Sequence, residues 1–154
     1  MVNMRQILIY AFLTVCQFAL LQPVFAQQSS DFTDYTVHYN ALRTDLLPPQ
    51  VAQGYDIQRS SSRALLNITV MKKGDSADAE QTAVTAQIDV NATNLTGQRR
   101  EVVLRKIDDG DGAIYYIGEF PVHNMETYRF KVEVVPDGES SPLTVEFNQQ
   151  FYTE

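Results

Sequence analysis

From Thr127 to Val134 the chain switches between polar and apolar at every step. Tyr128, Phe130, Val132 and Val134 alternate with Thr127, Arg129, Lys131 and Glu133. A helix, with 3.6 residues per turn, would scatter these two sets around its surface. A strand, whose successive side chains point to opposite faces, sorts them into one buried face and one wet face. Leu143, Val145, Phe147 and Phe151 repeat the pattern against Thr144, Glu146, Asn148 and Gln150. Pro136-Asp137-Gly138 opens the polar connection between the two stretches and Pro142 closes it, as turn chemistry requires.

The same period recurs upstream. Val84, Ala86, Ile88 and Val90 alternate with Thr85, Gln87 and Asp89; Leu66, Ile68 and Val70 alternate with Leu65, Asn67 and Thr69. Tyr35, Val37 and Tyr39 mark an earlier strand, and Asp108-Asp109-Gly110-Asp111-Gly112 reads as the loop of a hairpin. The predicted strands are 33–40, 64–71, 83–91, 101–107, 113–121, 127–135 and 143–152. One segment departs from the pattern. Leu46 to Gly54 places Pro48 and Pro49 where a helix begins and Gly54 where one ends, which predicts a short crossover helix over 48–53. The polar, glycine-containing stretch from Lys72 to Thr82 is expected to be a mobile loop. About seven strands with turn signals between them predict an all-β fold, an immunoglobulin-like antiparallel β-sandwich. Strand count leaves a small closed barrel as the alternative. The chain has no tryptophan and a single cysteine, so "immunoglobulin-like" describes layout only.

The N-terminus reads as an address. Arg5 is followed by an apolar run from Ile7 to Leu21, then by Pro23 and by small residues at Val24 and Ala26. That is the pattern of a secretory signal cleaved after Ala26. The run falls short of the roughly 20 apolar residues that span a bilayer, which disfavours a membrane anchor. A lipid on Cys16 is disfavoured by the bulky Val15 before it. The expected organisation is a signal peptide at 1–26, a disordered mature N-terminus at 27–32 and a single sandwich domain at 33–154, with no membrane span after cleavage. Removing Cys16 with the signal leaves no thiol for an oxidising compartment, so packing alone must hold the fold.

Charge narrows the function. The formal net charge is −7, and loss of Arg5 makes the mature chain one unit more acidic. A phosphate-tracking surface needs a basic excess, so nucleic acid is not an expected partner. Asp109, Asp111 and Gly112 resemble part of a calcium loop, but the positions that should carry its terminal ligands hold Ile107 and Gly118; a hairpin turn is the expectation. His123-Asn124-Met125 pairs two soft ligands that suit copper, with only His38 and Met71 left to complete a shell. His38 sits in a strand between Val37 and Tyr39, facing away from both, without the glycine-framed serine of a hydrolase. Two adjacent aromatics in a strand face opposite ways, so one each of Tyr115/Tyr116 and Phe151/Tyr152 points away from the core.

Val37-His38-Tyr39-Asn40-Ala41-Leu42, Leu47-Pro48-Pro49, Tyr55-Asp56-Ile57, Arg59-Ser60, Leu66-Asn67-Ile68, Asn94 to Gln98, Ala113 to Gly118 and Gln150-Phe151-Tyr152 together resemble the motifs of a family of Gram-negative secreted proteins, the domain of unknown function 4426. The resemblance runs from about Asp34 to Glu154. It implies a periplasmic β-sandwich and brings no established activity. In that setting the glycosylation sequons at Asn67, Asn91 and Asn94 are expected to be ordinary polar strand and turn residues. His38, Tyr39, Asn40, Tyr55, Arg59 and Gln150 are polar or amphipathic beyond the needs of a core. Were the first and last strands neighbours, His38, Asn40 and Gln150 would share a face beside Tyr55–Arg59. These six are the candidate binding residues, set against a purely structural role in fixing the crossover helix. The expected function is a non-enzymatic binding or protein-interaction module for a periplasmic protein or cell-envelope component. The alternatives are a small hydrolase using carboxylates with His38 or His123, and a copper carrier. No catalytic residue, metal ligand or cofactor is assigned.

Overall fold

The structure, a computed structural model, describes residues 28–76 and 79–154. The signal segment, its cleavage point and Cys16 lie outside the described residues, as do positions 77 and 78 of the 72–82 loop. Ten strands and one short helix follow in order: β1 (Gln28–Asp31), β2 (Tyr35–Arg43), α1 (Pro49–Gly54), β3 (Arg63–Lys72), β4 (Thr82–Ala83), β5 (Ala86–Asn94), β6 (Arg99–Arg100), β7 (Arg105–Asp108), β8 (Ile114–Pro121), β9 (Glu126–Pro136) and β10 (Leu143–Phe151).

All pairings are antiparallel and form two sheets. The larger runs β1-β2-β3-β8-β7 with β4 also on β3; the smaller runs β10-β9-β5-β6. The molecule is therefore an all-β sandwich, and the barrel alternative is excluded. Alternation does the sorting. In β9, Tyr128, Phe130, Val132 and Val134 are fully buried while Arg129 and Lys131 face water. The β9–β10 register pairs Val132 with Val145 and Phe130 with Phe147. Phe120 of β8 forms the centre of the core, meeting Tyr128, Phe130 and Phe151 edge-on at 5.7–5.8 Å, the geometry that aromatic quadrupoles favour.

Three sequence expectations need correction. Residues 28–31, read as part of a disordered N-terminus, form edge strand β1 with Gln28 opposite Tyr39 and Asp31 opposite Thr36. Their all-polar sequence gives no alternation to read, because pairing here comes from backbone groups. The strand expected over 101–107 is regular only from Arg105. Before that, Val102, Val103 and Leu104 press against Gly118, where an added Cβ would lie 2.8 Å from both Val102 Cγ1 and the Val103 carbonyl oxygen. Only glycine admits so close a crossing. Finally, Gly54 does not end the helix in a left-handed conformation; Asp56 does, at φ 51°.

That ending fixes the crossover. The Ile57 N–H reaches back to the Ala52 carbonyl (2.8 Å), a Schellman closure with the apolar contact of Ile57 on Ala52 that usually accompanies it. Thr44, fully buried, donates to the Gln58 carbonyl (2.8 Å) and accepts the Ser60 N–H (2.9 Å). The two ends of the β2–β3 connection are thereby tied together, and α1 is laid on the outer face of the larger sheet.

Candidate functional site

Because α1 is short and buries little beyond Ala52, it covers the outer face incompletely. A second apolar cluster forms beneath it from Ala52, Ile57, Leu65 and Ile117, edged by Leu47, Tyr55, Ile107 and Tyr115. It encloses a pocket of about 170 Å3. The wall residues include no acid and no histidine; they are aliphatic apart from Tyr55, Tyr115 and Asn67.

Asn67 is the one amide in the pocket's lining. It lies mid-strand in β3, in register with Asn40 on one side and Ile117 on the other. Its Oδ1 is the one buried side-chain nitrogen or oxygen among the described residues that has no hydrogen-bond partner. Leaving such an acceptor unpaired costs about 1–3 kcal/mol. Tyr55, at the edge of this cluster, is held from two sides. Its hydroxyl donates to Asp109 Oδ2 (2.8 Å) and its carbonyl accepts from Arg105 Nη2. The bond to the Asp109 carboxylate, with burial adding to it, pushes the phenol above its ordinary pKa. Asp108 and Asp111 accept the Gly110 and Ala113 N–H groups, so the acidic run shapes the β7–β8 hairpin as expected.

The structure does not bring the six expected residues onto one face. β2 and β10 lie in different sheets, which removes the adjacency on which that face depended. Tyr39 is buried in the core, stacked on Phe147 at 4.5 Å. His38 faces out between Ser29 and Thr69. Asn40 and Gln150 both line a shallow groove at the seam between the sheets that Arg43 bridges to the Tyr152 carbonyl. Gln150 there accepts the Tyr152 hydroxyl (2.6 Å) and donates to the Met125 carbonyl (3.2 Å). Arg59 donates to the Asp45 carbonyl (2.6 Å), bracing the crossover. Of the six, Tyr55 alone lines the pocket. Asn67 was visible in the sequence as a sequon, as a polar step of the β3 alternation and inside the Leu66-Asn67-Ile68 motif; its place under α1 comes from register, which none of these reports. The outward members of the aromatic pairs are Tyr115, on the pocket, and Tyr152, exposed.

The chemistry of the alternatives is distributed otherwise. His123 Nδ1 lies 3.0 Å from Glu126 Oε2, and Met125 is 65% exposed. Among the described residues no three of His, Cys, Asp and Glu converge as a metal cage would. Glu126 is the hub of a hydrogen-bond network. Burial opposes its ionisation, yet donors from Asn94, Tyr128 and His123 outweigh that and hold its pKa at about 2. Asn94 Oδ1 also accepts the Thr96 and Gln98 N–H groups, so this second sequon is a turn residue. A larger depression of about 760 Å3, bordered by Asp34, Lys72, Lys73 and Glu139, is polar and of mixed charge; it lacks the apolar walls that bury a ligand.

The described residues thus form an antiparallel sandwich bearing a small apolar pocket on the outside of its larger sheet. The chain belongs to the family described as "Domain of unknown function (DUF4426)", whose model matches residues 29–154. It is similar to the crystal structure of a DUF4426 family protein from Pseudomonas aeruginosa PAO1, with 30% identity and a TM-score of 0.70 over 85% of this chain and 98% of that one. It is also similar to FetP of uropathogenic Escherichia coli, as isolated after recombinant expression in the periplasm (10% identity, TM-score 0.57, 82% of this chain and 94% of that one). A copper-bound variant of FetP gives 12% identity and a TM-score of 0.55 over 82% and 95%. At these identities the likeness to FetP shows the fold alone. None of the curated proteins matches the chain.

Proposed function

We propose that this protein is a periplasmic, non-catalytic binding module that takes up one apolar group in the pocket beneath α1. The observation that carries this reading is the pocket itself. A solvent-reachable hollow walled mainly by aliphatic side chains, with Tyr55, Tyr115 and Asn67 as its polar members, has the composition of a ligand site. Its lining offers no acid–base pair for hydrolysis. Export rests on the N-terminal pattern of Arg5, the Ile7–Leu21 run and Ala26.

Two measurements test the reading. Benzene titrated into methyl-labelled mature protein is expected to shift the Ile57, Ile107 and Ile117 resonances selectively; no shift at these methyls would refute the pocket as a binding site. Expression of the full chain in a Gram-negative host should yield periplasmic protein beginning at Gln27 by mass spectrometry. Retention of Met1 in the cytoplasm would refute export.

A further inference from the structure

We infer that the mature protein accepts an extended, uncharged segment of a partner polypeptide along the open edge of β2 at Ala41 and Arg43, as one more strand in line with β1. This second site stands apart from the pocket beneath α1 and rests on cleavage after Ala26. β2 pairs with β3 along its whole length, from Tyr35 opposite Lys72 to Arg43 opposite Ala64. On its other side β1 reaches only to Gln28, opposite Tyr39. Successive residues of a strand turn their N–H and C=O groups to opposite sides. The phase is fixed where β2 begins: the Tyr35 carbonyl accepts from Phe32, on the β1 side, and the Asp34 carbonyl from Lys73, on the β3 side. Odd-numbered residues therefore face β1, and beyond Tyr39 these are Ala41 and Arg43. Among the described residues no strand pairs with them on that side. The seam groove, of about 360 Å3, touches all four residues from Asn40 to Arg43. Neighbours in a strand point to opposite faces, so a hollow touching every one of them lies against the strand's edge. Leu46 and Tyr152, both more than half exposed, flank it and suit apolar side chains on the added strand. A chain starting at Gln27 keeps one residue ahead of Gln28, too little to cover this edge, so the complement comes from another molecule. Backbone groups of an open edge are met by an extended backbone, the strand-addition mode of peptide recognition.

The test uses protein prepared to start at Gln27, so its outcome does not depend on export. The probe is acetyl-Thr-Val-Ala-Thr-amide, whose Ala lies opposite Ala41 when the first Thr lies opposite Arg43. Amide exchange at Ala41 and Arg43 is expected to slow about tenfold once the probe reaches ten times its Kd, while Asn40 and Leu42, bonded to β3, stay unchanged. N-methylation of the probe's Ala, whose N–H faces β2, should abolish the effect; N-methylation of its Val, whose N–H faces away, should leave it. Equal loss with both, or no response at Ala41 and Arg43 with the unmethylated probe, would overturn the inference and leave the pocket reading intact. Arg43 has a φ of −66°, the value proline imposes. Arg43→Pro therefore removes an edge N–H and no bond to β3, and should weaken the probe about tenfold. Arg43→Ala keeps that N–H and should bind within about threefold of the unaltered protein, since the strand is held by backbone bonds; equal weakening by the two variants would overturn the strand geometry. Where Arg43→Pro fails to fold, the pair of methylated probes decides. Slow exchange at Ala41 and Arg43 without probe, in a protein of doubled mass by light scattering, would assign the edge to a second copy and overturn a partner strand.

Discussion

The two faces of the larger sheet are packed by opposite rules. On its inner face, Phe120 is wedged among Tyr128, Phe130 and Phe151, and the largest side chains lose all contact with water. On its outer face, Ala52, Ile57, Leu65 and Ile117 gather under a six-residue helix and leave a hollow whose lining includes Asn67, with its unpaired Oδ1. Native interiors are packed like organic crystals, so the inner face is the ordinary case. The outer one differs in leaving space unfilled and an acceptor unpaired, a local cost in stability at the site proposed for binding.

The contrast can be tested by substitution, beginning with the largest expected loss. Phe120→Ala should cost about 3–5 kcal/mol in denaturant unfolding, since three aromatic neighbours cannot collapse into the space; a cost below about 1 kcal/mol would show the inner core to be as loose as the outer. Acid probes the end of the same core. Glu126 has its pKa lowered to about 2 in the folded protein, so it contributes stability that is present above the unfolded value near 4.5 and is lost as pH falls toward 2. The loss should be roughly 2–3 kcal/mol, and Glu126→Gln should flatten the stability curve across that window. Ile117→Ala, on the outer face, should cost only about 2 kcal/mol, because it enlarges a space that already exists. Asn67→Leu should raise stability by about 1 kcal/mol by removing the unpaired acceptor; a destabilisation instead would mean that Asn67 has a structural partner. The smallest effect belongs to the helix end, where Asp56→Gly should gain about 0.5 kcal/mol by relieving a positive φ, seen as a modest rise in Tm.

The inner face was legible in the sequence and the outer face was not. Tyr128, Phe130, Val132 and Val134 announce a buried strand face by period alone, and the fold class follows from repeating that argument. Tyr115 and Tyr116 likewise had to point oppositely, and they do. The crossover helix was found to within one residue from its prolines, yet its true terminus, Asp56, offered no glycine to betray a left-handed residue. β1 escaped notice because Gln28-Ser29-Ser30-Asp31 contains nothing apolar. Asn67 is the most instructive case. Its neighbours Leu66 and Ile68 point inward, which assigns it to the polar side; only the registers with Asn40 and Ile117, together with the cover from α1, make that polar side half-buried. Tertiary cover is not written in local periodicity. Tyr55 was singled out for its amphipathic character and does line the hollow, whereas Arg59, grouped with it, serves the backbone of the turn.

Tyr55 is fastened twice, through its carbonyl to Arg105 and through its hydroxyl to Asp109, and both fastenings stand on the β7–β8 hairpin. The position of this lining residue is therefore set by a hairpin at the edge of the larger sheet. Lengthening its loop, or exchanging Asp109, would move this wall of the hollow while the sandwich stays whole.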